Sequence, residues 1–120
     1  MNFFYVFLGG GIGATIRYLF QILVGKHNGT DFPISTFATN LIGCFLIGIL
    51  AALALKFKWN EQVILFGITG VLGGYTTFSS FALEFVNLIK NNQLALAFIY
   101  LGLSNILGLI LCGIGFYLAK

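Results

Sequence analysis

Four apolar runs, at residues 3–24, 34–55, 63–89 and 94–118, take up most of a 120-residue chain. Each reaches the ~20 residues that an α-helix needs to cross the hydrocarbon core of a bilayer. Only three short polar connectors separate them, at 25–33, 56–62 and 90–93. A soluble alternative fails on composition. With 59% hydrophobic and 8% charged residues and a mean hydropathy of +1.02, the chain has too little polar surface to coat a globule. The expectation is one all-α domain over residues 1–120 with four transmembrane helices and no soluble module. No Lys or Arg precedes the first run, and its one cation, Arg17, comes late. That pattern is a poor signal peptide, so the run is expected to be kept as a span.

Charge says little about orientation. An even number of spans puts both termini on one side, together with Lys56, Lys58 and Lys120; the other side receives Lys26 and Lys90, with Arg17 near that end of its span. So even a distribution of Lys and Arg leaves the rule that they stay cytoplasmic without a preference. A chain that inserts both ways can meet an oppositely inserted copy, and a twofold pair is the commonest oligomer. Gly9 with Gly13 and Gly70 with Gly74 form small-xxx-small pairs, and Gly67, Gly70 and Gly73 form a ridge at helical spacing. Such residues allow close helix contact in lipid, either between two copies or within one.

The third run holds an anomaly, "GGYTTFSSF" at residues 73–81. Two glycines followed by Tyr75 and two β-branched threonines weaken a helix where no bulk water can satisfy freed carbonyls. Irregular backbone at membrane depth persists only where protein, an ion or a wet cavity satisfies it. A discontinuous third span follows, its half-helices meeting within 73–77. The first half would end in carbonyls and a negative dipole end, suited to a cation. The second would begin with amides and a positive end, suited to an anion.

Beyond the break, Phe78 and Phe81 share one helix face, and Thr77, Ser80 and Glu84 share a neighbouring one. A phenyl edge carries partial positive charge, so two rings presented edge-on can touch an anion without trapping it. Weak binding of this kind is what conduction needs. Thr36, Thr39 and Asn40 open the second span; Tyr100, Ser104 and Asn105 lie in the fourth. Their amides and hydroxyls can replace the water shell of a small anion, although Asn and Ser also join helices in lipid. It is their coincidence on three spans that favours a pore. Arg17 and Glu84 are the ionisable residues placed most clearly inside the runs, where such residues mark pathways or pair. Arg17 either snorkels as an anchor or draws anions into a vestibule.

Several features carry no chemistry. Cys44 and Cys112 read as small buried hydrophobes, and His27 stands without a metal-binding cluster. Asn28-Gly29-Thr30 matches a glycosylation sequon but is also a strong turn signal. No nucleophile–base pair or phosphate loop appears, so an enzyme is not expected. A net charge of +3, spread over loops, makes no nucleic-acid patch.

Three ordered blocks, "GGGIGATIRY" (9–18), "STFATNLIGCFLIG" (35–48) and "GVLGGYTTFSSFALE" (70–84), closely resemble the signature blocks of the Fluc (CrcB) family of fluoride ion channels. The resemblance extends over the whole chain and its four-span layout. It implies a passive, selective fluoride channel that lowers fluoride toxicity, built as an antiparallel dual-topology homodimer in a bacterial plasma (inner) membrane. It implies a structural Na+ at the dimer centre, held by carbonyls that match Gly73 and Thr76. The pore residues would be Phe78, Phe81, Asn40, Tyr100 and Ser104, with Thr36, Ser80 and Glu84 on further polar positions and Arg17 near the vestibule. Ser80 stands where many members have Thr, and Gly108 and Cys112 shorten the hydroxyl track beyond Ser104. Passive export also has a physical logic: hydrogen fluoride enters as a neutral acid, and the anion leaves down an electrical gradient of about 2.3 kcal/mol per charge per 100 mV.

Two other classes fit parts of the pattern. A small dual-topology, proton-coupled multidrug exporter needs an embedded carboxylate, for which Glu84 is the sole candidate. A non-transporting scaffold gives no reason for aligned aromatic and hydroxyl residues.

Overall fold

The computed structural model describes residues 1–25 and 31–120. Lys26, His27 and the Asn28-Gly29-Thr30 triplet lie outside the described residues. The first two apolar runs form single helices, α1 (Asn2–Gly25) and α2 (Ile34–Lys56), and the fourth forms α6 (Leu94–Ala119). The third run is segmented. It opens with α3 (Glu61–Ile64), widens into a π-helical stretch (Leu65–Leu72), returns to α-geometry in α4 (Gly73–Tyr75), and resumes after a gap as α5 (Phe78–Lys90). All four spans are long and apolar enough to cross a membrane. Their outer faces agree, because Phe3, Phe7, Leu55, Leu109 and Leu118 are exposed, as lipid contact requires.

Short connections set the order of the bundle. Asn60 caps α3, its side-chain oxygen accepting from the Val63 amide at 3.0 Å. Asn92 adopts φ 61° in the turn between α5 and α6, a left-handed conformation that Asn tolerates. Asn2 at the start of α1 donates to Glu61 at the start of α3 over 3.3 Å, so the first and third spans rise from the same end.

Lipid offers no hydrophobic drive for helix pairing, so packing depends on close backbone approach. Glycines supply it along two seams. Between α1 and the first half of the third span, a Cβ on Gly9 would strike the Phe66 carbonyl, one on Gly13 the Val71 carbonyl and one on Gly74 the Gly10 carbonyl. Between α2 and α6, a Cβ on Gly48 would strike the Cys112 carbonyl and one on Gly115 the Phe45 carbonyl. Both small-xxx-small pairs thus serve contacts inside one chain, whereas Gly67 of the third ridge has open space around it.

The third span breaks inside the expected window but not at its glycines. Gly73 is helical at φ −61°, ψ −37°, and no glycine among the described residues has positive φ. The break falls on Thr76 (φ −83°, ψ 157°) and Thr77 (φ −151°, ψ 122°), both extended. The physical reason lies in α1: Gly74 is needed for contact with Gly10, which keeps it in the helix, while β-branched threonines favour extended backbone. The eight-residue π-helical stretch just before the break was not anticipated from the sequence. Such i→i+5 geometry is rare and occurs mostly near functional sites.

Candidate functional site

Breaking a helix inside a membrane orphans backbone groups, and the neighbouring spans satisfy some of them here. Asn40 on α2 grips Thr77 from both sides: its amide nitrogen donates to the Thr77 carbonyl at 3.0 Å, and its amide oxygen accepts from the Thr77 N–H at 2.9 Å. Arg17 on α1 donates through Nε to the Gly74 carbonyl at 3.1 Å. A fixed positive charge therefore sits at the C-terminal end of α4, where the helix dipole favours it. Thr77 caps α5, its hydroxyl accepting from the Ser80 amide at 3.2 Å. Thr76 bonds back to the Leu72 carbonyl through both its amide, at 3.0 Å, and its hydroxyl, at 3.1 Å.

The Gly73 and Thr76 carbonyls lose their ordinary helical donors in this arrangement. The Thr77 amide, which would serve Gly73 in a continuous helix, is turned to Asn40. The Ser80 amide, which would serve Thr76, is taken by the Thr77 hydroxyl. Gly73 and Thr76 both line an open cavity of about 550 Å³. Hard cations favour oxygen donors of this kind, so the donor set suits a small cation. No group of three or more His, Cys, Asp or Glu side chains is placed to hold a metal among the described residues.

The same cavity collects much of the anticipated track. Asn40, Thr77, Phe78, Phe81, Ser104 and Asn105 line it together with Cys44, Thr69 and several aliphatic residues. Its polar groups are amides, hydroxyls and backbone, with no carboxylate and no lysine or arginine among them. The Ser104 hydroxyl has no partner among the described residues. Phe78 and Phe81 stand 5.6 Å apart between ring centroids at 46°, yet their surroundings differ. Phe81 is 6% exposed and Phe78 is 77% exposed, so one ring belongs to the core of this chain and the other projects from it.

Beyond Phe81 the chemistry changes. Tyr100 is fully buried, its ring 4.9 Å from that of Phe81, and its hydroxyl donates to the Glu84 carboxylate at 3.3 Å. Thr36, also buried, bonds the same carboxylate. Glu84 forms part of a second cavity, of about 520 Å³, with Asp31, Phe32, Pro33, Asn87, Leu88, Asn91 and Gln93. The residues anticipated from sequence therefore form three groups. Asn40, Gly73, Thr76, Phe78, Phe81 and Ser104 surround the first cavity; Thr36, Glu84 and Tyr100 lie beyond Phe81; Arg17 braces the break from α1. Ser80, half-buried, joins the break through its backbone amide.

Other members of the site were missed. Phe32 and Phe37 pack around Tyr100, with centroids 5.4 and 6.4 Å from its ring. Asn87 and Asn91 share a wall of the second cavity with Glu84. Their spacing of three and seven residues from Glu84 was the available signal, since positions 77, 80, 84, 87 and 91 recur at helical spacing.

Comparison with known proteins adds an independent line. A family model described as "CrcB-like protein, Camphor Resistance (CrcB)" matches residues 4–116. A protein of Flavobacterium psychrophilum named Fluoride-specific ion channel FluC is 43% identical over 98% of this chain and 95% of its own length. Proteins of the same name are also 43% identical in Helicobacter acinonychis, over 98% of this chain and 94% of the relative, and in Helicobacter pylori strain Shi470, over 100% and 95%.

Proposed function

We propose that this chain, which belongs to the CrcB-like protein family, is a passive channel selective for fluoride. It is a multi-pass membrane protein and not an enzyme. The observation that carries the proposal is the lining of the first cavity: neutral donors and aromatic rings around a braced helix break, with no ionised side chain. Fluoride holds its water tightly, so a pathway must replace that water with many weak donors. The Asn105 amide and Ser104 hydroxyl offer polar hydrogens, the Phe78 and Phe81 edges offer partial positive charge, and the capped start of α5 offers the positive end of a helix dipole. Each contact is neutral, so the anion is held without being trapped.

The remaining residues position these groups. Asn40 and Arg17 fix the break from opposite sides. Tyr100, held by Glu84 and packed on Phe81, lies between the two cavities and forms the narrow part of the route. Thr36 and Glu84 complete the polar path beyond it, and Ser80 supports the cap of α5.

The protein works as an antiparallel dual-topology homodimer in a bacterial inner membrane. The balanced distribution of Lys and Arg supports insertion in both directions, and the exposed Phe78 ring beside the open first cavity is a surface for a second copy to cover. The Gly73 and Thr76 carbonyls would hold a structural Na+ at the dimer centre; two carbonyls are too few for such an ion, so the second copy supplies the others. When bound, that ion would neutralise the carbonyl ends of both breaks and tie the copies together.

A proton-coupled exporter is the weaker reading, because no carboxylate lines the first cavity and Glu84 is engaged by Tyr100 and Thr36. Purified protein in liposomes loaded with fluoride or chloride, with a potassium gradient and valinomycin setting the voltage, distinguishes them. Rapid fluoride efflux without chloride efflux and without need of a pH gradient is expected. Silence for both anions, or dependence on a proton gradient, would overturn the proposal. Loss of fluoride flux in a Phe81→Ile variant that still dimerises separates a channel from a scaffold.

A further inference from the structure

The chain has two cysteines, and the fold brings both to one seam. Taken singly, each reads as a small hydrophobe; side by side they are a pair of soft donors. Along α2 and α6, Gly48 meets the Cys112 carbonyl and Gly115 meets the Phe45 carbonyl, while a Cβ on Gly108 would stand 3.2 Å from the Cys44 sulfur. Contacts therefore advance in the same direction along both helices, which run parallel. Cys112 follows Gly108 by one turn on the same face. Helical side chains lean toward the N-terminus of their own helix, so Cys112 leans toward the level at which the Cys44 sulfur lies. Glycine at 108 keeps a side chain out of the space between them. The two thiols are within electrostatic reach of each other. Neither is sealed in: both are half-buried and in no disulfide, and Cys44 lines the open first cavity.

We infer that Cys44 and Cys112 form a site for a soft monovalent metal ion of the copper(I) class, held between the two sulfurs. The donor set selects the ion. Soft sulfur ligands suit copper(I), and a pair of them is enough, whereas zinc needs a larger ligand set. No group of three or more His, Cys, Asp or Glu side chains is placed to hold a metal among the described residues. Charge also fits. The ligand is the thiolate, so the ion and two thiols give a complex of one thiolate, one thiol and the metal, with one proton released to solvent. That complex is neutral and avoids the cost of a lone charge at membrane depth. The site is chemically distinct from the Gly73 and Thr76 carbonyls in the same cavity, because hard oxygen donors and soft sulfur donors prefer different cations. The inference goes beyond the channel reading and does not depend on it.

Competition with bicinchoninate, a coloured copper(I) chelator, tests the site on purified full-length protein under reducing conditions. The wild type is expected to withdraw a single copper(I) ion per chain. Cys44→Ser and Cys112→Ser each leave one point of attachment, and loss of the second weakens retention by about a hundredfold or more. Cys→Ala at the same position replaces a serine variant that fails to fold. Melting temperature, followed by circular dichroism, is the second readout: copper(I) should raise it for the wild type, since only the folded chain holds the two sulfurs together, and by much less for either variant. A wild type that takes no copper(I) from bicinchoninate would overturn the inference, as would single variants that hold the ion as tightly as the wild type. Fluoride efflux of the metal-free protein is measured separately, so the channel reading stands or falls on its own.

Discussion

The two halves of the third span are held in place by opposite means. Residues 61–75 lie against α1 through backbone contact, with Gly9, Gly13, Gly70 and Gly74 leaving no room for a methyl group. Residues 78–90 are held by side chains: the Asn40 amide on Thr77, the Tyr100 hydroxyl on Glu84, and tilted and edge-on ring contacts running from Phe78 through Phe81 to Tyr100 and Phe32. The first arrangement is rigid because backbone cannot move aside. The second keeps polar and aromatic groups near an open cavity, where an ion can replace one partner with another. The break at Thr76 and Thr77 is the boundary between a half packed on α1 and a half that, in the proposed channel, carries the ion-facing groups.

The contrast makes substitutions in the two halves fail differently. The largest effect is expected for Gly13→Val, whose side chain meets the Val71 carbonyl and, at 2.8 Å from the new Cβ, the Tyr75 amide. A cost of about 3 kcal/mol or more follows from overpacking against backbone, seen as aggregation in size-exclusion chromatography and reduced helicity in circular dichroism. Asn40→Leu comes next. It takes the partner from the Thr77 amide and carbonyl, which are partly buried beside the open cavity, at up to about 1–3 kcal/mol for each. Helix content should persist while fluoride efflux falls tenfold or more, which would separate a transport defect from a folding defect. Thr77→Ala removes the α5 cap for about 1 kcal/mol, and a lowered melting temperature with flux reduced only a few fold is the expected result. The smallest effect is Gly67→Ala, because nothing lies within 4 Å of the added Cβ. Less backbone freedom in the unfolded chain should stabilise the protein by up to about 1 kcal/mol, with flux unchanged.

Much of this was legible in the sequence because the bilayer imposes so few solutions. Run length gave four helices, and a polar, glycine-containing stretch at membrane depth gave a broken third span. The position of the break was less legible, since glycine is both a helix breaker and a packing residue. Only the location of Gly10 against Gly74 decides for packing. Arg17 shows the same limit: one residue in the span can anchor, attract or brace, and its bond to the Gly74 carbonyl depends on a contact 57 positions away in the chain. Asn40 is expected at the pore from its place in the second span and from the resemblance, but its two-sided grip on Thr77 is a tertiary feature that no local pattern encodes. The aromatic shell of Phe32 and Phe37 around Tyr100 was hidden among 14 phenylalanines, most of which could equally face lipid.

The most direct test of the account is the reversal potential of the current carried by the purified protein in a planar bilayer, with fluoride, chloride and proton gradients set independently. The account predicts a reversal potential that follows the fluoride gradient alone and stays fixed when chloride or pH is changed on one side. A reversal potential that tracks chloride, or that moves with the proton gradient, would contradict it.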